Sequence, residues 1–184
     1  MKEKIWMVAL LVITALVSAS MLAVINIKTQ PIVQKNNEIK LKKCVLDVFN
    51  VPYTNENVES VFGENVDILD KNGTVYYQMN SSQTGKTSSG TGPIIAFKVR
   101  GPGFWGSISA LLAVQGDRDT IEGIKFLKHE ETPGLGGRID EEWFWSQFKG
   151  KKLKPKLVKA PYKMAKTQNE FDAITGATQT SKSV

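Results

Sequence analysis

The sequence has 184 residues, of which 41% are hydrophobic and 23% charged, with a net charge of +6. That composition suits one globular domain or two small ones, and excludes wholesale disorder and collagen-like structure. A single cysteine, Cys44, excludes an intrachain disulfide and Cys-built zinc or iron–sulfur sites within these residues, and a single histidine, His129, excludes a multi-histidine metal site. Metal or redox chemistry would need a cofactor held by other groups. The positive charge invites an anionic partner without naming one.

Ile5 to Ile27 carries no charged side chain. A bilayer crossing needs roughly 20 apolar residues, so this run reads as an uncleaved membrane anchor that meets lipid through residues 5–27. The competing reading is a signal peptide cut near Ser18-Ala19-Ser20, but the apolar run continues past that point to Ile25. Lys2 and Lys4 precede the span, while Lys28, Lys35, Lys40, Lys42 and Lys43 follow it. The positive-inside rule alone therefore does not put the following domain outside.

Ile32 to Phe49 is predicted to be a polar, amphipathic helix with Pro31 at its start and Cys44 half-buried within it. Asn55 to Phe62 is a second short helix. Val66–Leu69 and Thr74–Met79 flank Asn72-Gly73, a hairpin signal. Asn80 to Gly92 is a Ser/Thr/Gly-rich loop, and Ile94 to Val99 a strand. Ile108 to Val114 is apolar and open between strand and helix. A turn at Gly116–Asp119 leads into a strand at Ile121–Leu127. Asp140 to Phe148 is a helix, and Lys149 to Lys166 holds eight lysines and no acid, which reads as a solvated surface. Short strands beside a few helices, without regular alternation, give an α+β class: one N-terminal transmembrane helix, then one domain of antiparallel sheet plus helices. The divisions are residues 1–30 as anchor, 31–63 as helical connector and 64–184 as the main domain.

Gly101-Pro102-Gly103-Phe104-Trp105-Gly106 fits G-x-G-x-x-G, the dinucleotide fingerprint. Pro102 and the lack of an amphipathic helix after it argue against that use. Glu122 also precedes an apolar run, where a ribose-binding acid should close the second strand. What remains is a tight turn in which Gly103 allows close backbone approach and Trp105 is a core side chain or a flat wall for a ligand. In His129 to Gly137, Pro133-Gly134 fits a type II turn, and Gly134, Gly136 and Gly137 leave N–H groups open to a planar ring or a phosphate. His129 has no nucleophile to activate and reads as packed or solvent-facing; Glu130 and Glu131 point apart on extended chain. Asp172 to Ser181 is an exposed hydroxyl loop or a helix start capped by Thr178 or Thr180. Ser181 and Lys182 are adjacent rather than spaced as S-x-x-K, and a G-x-S-x-G elbow is lacking, so no catalytic residue is assigned and a hydrolase is least favoured.

Taken together, three segments resemble the FMN-binding domain family. Asp172-Ala-Ile-Thr-Gly-Ala-Thr178 is similar to its D-g-x-[ST]-G-A-T motif, Glu131-Thr-Pro-Gly-Leu-Gly-Gly137 to its E-T-P-G-L-G loop, and Gly101–Gly106 to its G-x-G-[LF]-W segment. The family includes the C subunit of the sodium-translocating NADH:quinone reductase and the G subunit of the Rnf complex. The resemblance implies FMN joined covalently through its phosphate to Thr178 by a flavin transferase, with Asp172 as a recognition element for that enzyme. It further implies that Thr175, Gly176 and Ala177 give steric room, that Glu131, Thr132, Pro133, Gly134, Leu135 and Gly136 form a loop against the flavin, and that Gly103 and Trp105 pack near it. Residues 64–184 would then be the FMN-binding domain. The chain would be a single-pass component of the cytoplasmic membrane, its flavin domain on the periplasmic or extracellular side. It would relay electrons among the membrane subunits of a respiratory complex, with no substrate, metal or nucleic acid of its own. Phe104-Trp105, Gly136-Gly137 and Asn36-Asn37 with Leu41 lean toward the reductase; the short chain leans toward the Rnf protein or a stand-alone flavoprotein. The sequence ends at Val184, where the family continues with a helix, leaving open a truncated sequence or a reduced helix. From a different class, a non-redox anchored module binding a loosely held ligand stays in view.

Overall fold

The computed structural model describes residues 2–71, 73–80, 92–158 and 169–184. It divides into two units, Met1–Lys40 and Leu41–Val184. The first is the greater part of helix α1, Lys2–Val48. Every side chain described in the apolar stretch is solvent-facing or nearly so, and the helix is long and apolar enough to cross a membrane. α1 runs through Pro31 instead of restarting there. Proline removes one N–H from the helical ladder, and the helix continues past it on the remaining bonds.

The second unit is built on a five-stranded antiparallel meander, in spatial order β1-β2-β3-β4-β5. β1 (Val66–Lys71) and β2 (Thr74–Met79) form the predicted hairpin, with Leu69 opposite Tyr76. β3 is Ile95–Pro102, β4 Ser107–Val114 and β5 Ile121–Lys128. The turn before β5 is held by Asp117, whose Oδ1 accepts the Asp119 and Thr120 N–H groups at 3.0 and 2.9 Å. The ambiguous run at Ile108–Val114 is thus a strand, and its burial explains the ambiguity. Ile108 and Ala110 face one core while Leu111 and Ala113 face another, so the polar alternation of a half-exposed strand is absent.

One core packs the end of α1 (Val45, Leu46, Val48, Phe49) and α2 (Val58–Asn65, three residues later than the sequence placed it) on Tyr77, Met79, Ala96 and Leu111. Cys44 lies in this core at 9% exposure. On the other face, Ile124 and Phe126 meet Ile139, Phe144, Phe148, Phe171 and Ile174. The helix expected over Asp140–Phe148 is broken into a 3-10 turn at Gly136–Asp140, the four-residue α3 at Glu142–Trp145, and a second 3-10 turn at Ser146–Phe148. Phe144 and Phe148 still share a face, which is what the spacing encodes. A parallel pair, β6 (Lys156–Val158) and β7 (Glu170–Asp172), was not legible in the lysine-rich stretch, and α4 (Thr178–Ser183) ends the described chain. Asn72, most of the loop read over Asn80–Gly92, and residues 159–168, which include the end of the lysine run, lie outside the described residues.

Phe144 is fully buried, with its ring 5.5 Å from Phe148, 6.2 Å from Phe171 and 6.3 Å from Phe126. Phe144→Ala is expected to cost about 3–5 kcal/mol, since an aromatic deleted from a packed core loses its transfer energy and leaves a cavity. Denaturant unfolding of the detergent-solubilised chain measures this; a loss below about 1 kcal/mol would show that this second core adds little to the fold.

Candidate functional site

The loop between β3 and β4 is closed by the Gly103 N–H, which donates to the Gly106 carbonyl at 2.6 Å. A strand follows it, not a helix, in keeping with the rejected dinucleotide reading. The loop holds Phe104 and Trp105 in an edge-to-face pair, ring centroids 5.0 Å apart, with the two residues 57% and 66% exposed. Trp105 is therefore not a core tryptophan. Two consecutive polar backbone groups point the other way, into the protein.

They meet Glu131. This residue, just past β5, is only 4% exposed. Its Oε1 accepts the Phe104 and Trp105 N–H groups at 2.8 and 3.1 Å, and its Oε2 accepts the Thr180 hydroxyl at 2.6 Å. The glycines of the motifs make room for this. A Cβ at Gly103 would lie 2.5 Å from Glu131 Oε1, and one at Gly136 would lie 2.6 Å from Oε2 and 2.5 Å from Thr180 Oγ1. Burial alone would raise the Glu131 carboxyl. The Thr180 hydroxyl, the Trp105 and Phe104 amides and nearby His129 outweigh burial and hold it below the usual carboxylate range.

His129 is packed into the same loop. Its Nδ1 accepts the Glu131 N–H at 3.2 Å, and its Nε2 lies 3.0 Å from Asp140 Oδ2. With Nδ1 accepting, Nε2 carries the proton and donates to Asp140. Next along the chain, the Thr132 carbonyl accepts N–H groups from Leu135 at 3.1 Å and Gly137 at 3.0 Å, and Gly134 has φ of +76°. This is the expected turn, with proline first and glycine in the left-handed position.

The third motif is not a uniformly exposed hydroxyl loop. Thr175 is exposed, Thr178 half-buried, and Thr180 and Ser181 are buried. Ser181 Oγ accepts the Ile174 N–H at 3.0 Å and donates to the Ala177 carbonyl at 2.9 Å, which ties the Thr175-Gly176 turn to α4. Neither Thr178 nor Thr180 caps the helix: Ala177 is the capping position and makes no side-chain bond, while Thr180 is turned to Glu131. A helix does follow the motif, but it is short, Thr178–Ser183.

These pieces enclose a cleft of about 390 Å³. Phe104 and Trp105 line it from the first motif, Glu131, Thr132, Leu135 and Gly136 from the second, and Gly176, Ala177, Thr178, Gln179 and Thr180 from the third. Of the residues singled out by sequence, Gly103, Pro133, Gly134 and Thr175 do not line it, and Gly103 acts through Glu131. Asp172 lies outside it as well; its N–H donates to Gln147 Oε1 at 2.8 Å. Phe104, Gln179 and Thr180 were missed. A larger opening of about 660 Å³, between Asp47–Pro52, β5 and α3, contains none of the three motifs. Chemistry, not volume, decides between the two.

Residues 103–184 match the FMN-binding domain family. Every residue lining the smaller cleft falls inside that match. The resemblance carried by the three motifs is thereby borne out. The chain is also similar to the C subunit of the Na(+)-translocating NADH-quinone reductase of Vibrio vulnificus, 34% identical over 118 residues, which cover 61% of this chain and 43% of that protein. To the corresponding protein of Neisseria meningitidis it is 39% identical over 95 residues, covering 49% of this chain and 37% of that one. The chain thus spans less than half the length of these curated relatives. Among solved structures, the same reductase component from Parabacteroides distasonis superposes with a TM-score of 0.65 at 25% identity, covering 82% of this chain and 87% of that one. Shewanella oneidensis NqrC has the same fold, with a TM-score of 0.68 at 22% identity over 82% and 88% of the two chains.

The low-lying Glu131 carboxyl couples stability to pH. Its folded value lies below its unfolded one, so the stability it contributes is present above the ordinary carboxylate range. That contribution is lost as pH falls through the folded value. Glu131→Gln removes the titrating proton, so its unfolding free energy should decline less steeply than that of the wild type between about pH 5 and about pH 3. Denaturant titrations across that range measure both slopes; identical slopes would show that another group carries the acid transition.

Proposed function

We propose that this chain is a membrane-anchored electron carrier that holds FMN through a phosphoester on Thr178, in the manner the three motifs imply. The observation that carries this reading is the cleft itself. Segments far apart in sequence line one opening, and Thr178, half-buried at the first residue of α4, is among the residues that face it. Its size lies within the roughly 300–1,000 Å³ of small-molecule sites. Phe104 and Trp105 offer aromatic surface, and Gly136 and Gly176 let backbone approach a ring closely. Both Glu131 oxygens are taken by protein donors, so the nest of amides at Phe104 and Trp105 is already filled by an internal anion and is not where a phosphate would sit.

Bound FMN supplies the redox chemistry; the protein's part is to hold and orient it and to set its surroundings. A covalent tether retains the cofactor at little cost in binding energy, an advantage on the periplasmic or extracellular side, where we place the domain. α1 is the anchor, with residues 5–27 in lipid. Maturation needs a flavin transferase, for which Asp172 is a recognition element. The similarity to the reductase sequences favours membership of a sodium-translocating NADH:quinone reductase, with its membrane subunits as electron donor and acceptor.

The test is intact-mass measurement of the full chain co-produced with a flavin transferase. Wild type should gain one FMN less one water and remain in the membrane fraction. Thr178→Val should keep the fold and the membrane location but gain nothing. A wild type that stays at its unmodified mass under those conditions overturns the proposal.

A further inference from the structure

Glu131 does more than fill a space. Among the described residues, its side chain bridges both walls of the cleft: the Phe104–Trp105 loop through Oε1 and α4 through Thr180 on Oε2. Thr180 stands two residues after Thr178 on the same short helix. The bond between Thr180 and Glu131 is buried, and it joins residues 49 positions apart. We propose that Glu131 and Thr180 are positioning residues, a buried latch that sets the register of Thr178 against the aromatic wall and so makes it reachable for flavin attachment.

Three observations support this. The carboxylate is only 4% exposed, and its oxygens face two amides and a hydroxyl at 2.6 to 3.1 Å. The cradle is tight, because a Cβ at Gly103 or Gly136 would strike the carboxylate oxygens. The amides it binds belong to a loop whose side chains are otherwise solvent-facing, so few other contacts fix it. Removing the carboxylate would strand two inward-pointing N–H groups and one buried hydroxyl, and the loop would open to hydrate them. What Glu131 supplies is acceptor geometry. A glutamine can reproduce it, with Oε1 accepting both amides and Nε2 donating to Thr180 Oγ1.

The latch exists without flavin, but its consequence for attachment rests on the flavin reading above. Two measurements on the full chain keep them separate. The first is amide hydrogen exchange at Phe104 and Trp105 in unmodified protein. The second is the rate of mass gain with a flavin transferase. Glu131→Ala should speed exchange at both amides and slow flavin attachment by about tenfold or more, whereas Glu131→Gln should stay within about threefold of wild type on both. Thr180→Val should leave the two amides protected yet slow attachment, because it frees α4 alone. Protected amides in Glu131→Ala, or Glu131→Gln as impaired as Glu131→Ala, would overturn the latch. So would wild-type attachment in Thr180→Val. Should Glu131→Ala fail to fold, the Gln and Val variants still decide. Wild type that takes up no flavin sinks the flavin reading, while the exchange data still report on the latch.

Discussion

A carboxylate buried in a protein is costly unless it is paired or hydrogen-bonded, and the groups that bond it are held in place by it. Glu131 meets that requirement with groups drawn from two other parts of the chain. Its own loop is braced from behind by His129, which links the Glu131 N–H to Asp140. Position therefore passes from the 3-10 turn ending at Asp140, through His129 and Glu131, to the aromatic loop and α4. The cleft is a consequence: its walls are the segments Glu131 gathers.

The sheet makes this gathering possible. β4 is buried on both faces, which makes the meander a middle layer with a core on each side. On one side the end of α1 and α2 close the sheet; on the other the Phe126–Phe144–Phe148–Phe171 cluster supports the chain that leads into the threonine motif. Ile174 and Ala177 belong to that second core, so α4 starts from packed residues rather than from a dangling tail. At the rim of the cleft Phe104, Trp105 and Leu135 keep large apolar side chains exposed. Large apolar groups kept in water beside a cleft mark a binding surface.

Much of this was legible in the sequence, for physical reasons. The apolar run from Ile5 to Ile27 and the Asn-Gly hairpin are local signals, as is the Pro133-Gly134 turn, and each appeared where its chemistry put it. The three motifs line one cleft, and glycine positions there are set by close approach. The rest was hidden because it is non-local. Thr180 looked like a cap, since nothing in one sequence pairs it with an acid 49 positions away. Trp105 was open between core and ligand wall, since no local pattern in the sequence reports its exposure. Pro31 looked like a helix start, and the broken helix at Asp140–Phe148 looked continuous because Phe144 and Phe148 keep helical spacing through a 3-10 turn. β6 and β7, at three residues each, are too short for any period to show.

The proposed function turns on whether a hydroxyl of the third motif carries the cofactor, and on which one. Tandem mass spectrometry of the tryptic peptide spanning 167–182, taken from denatured, flavin-loaded chain, tests it most directly. That peptide contains Thr167, Thr175, Thr178, Thr180 and Ser181, and fragmentation can tell them apart. The flavin phosphate is expected on Thr178 alone. Flavin found on Thr175 or Thr180, or released intact on denaturation, would contradict the assignment.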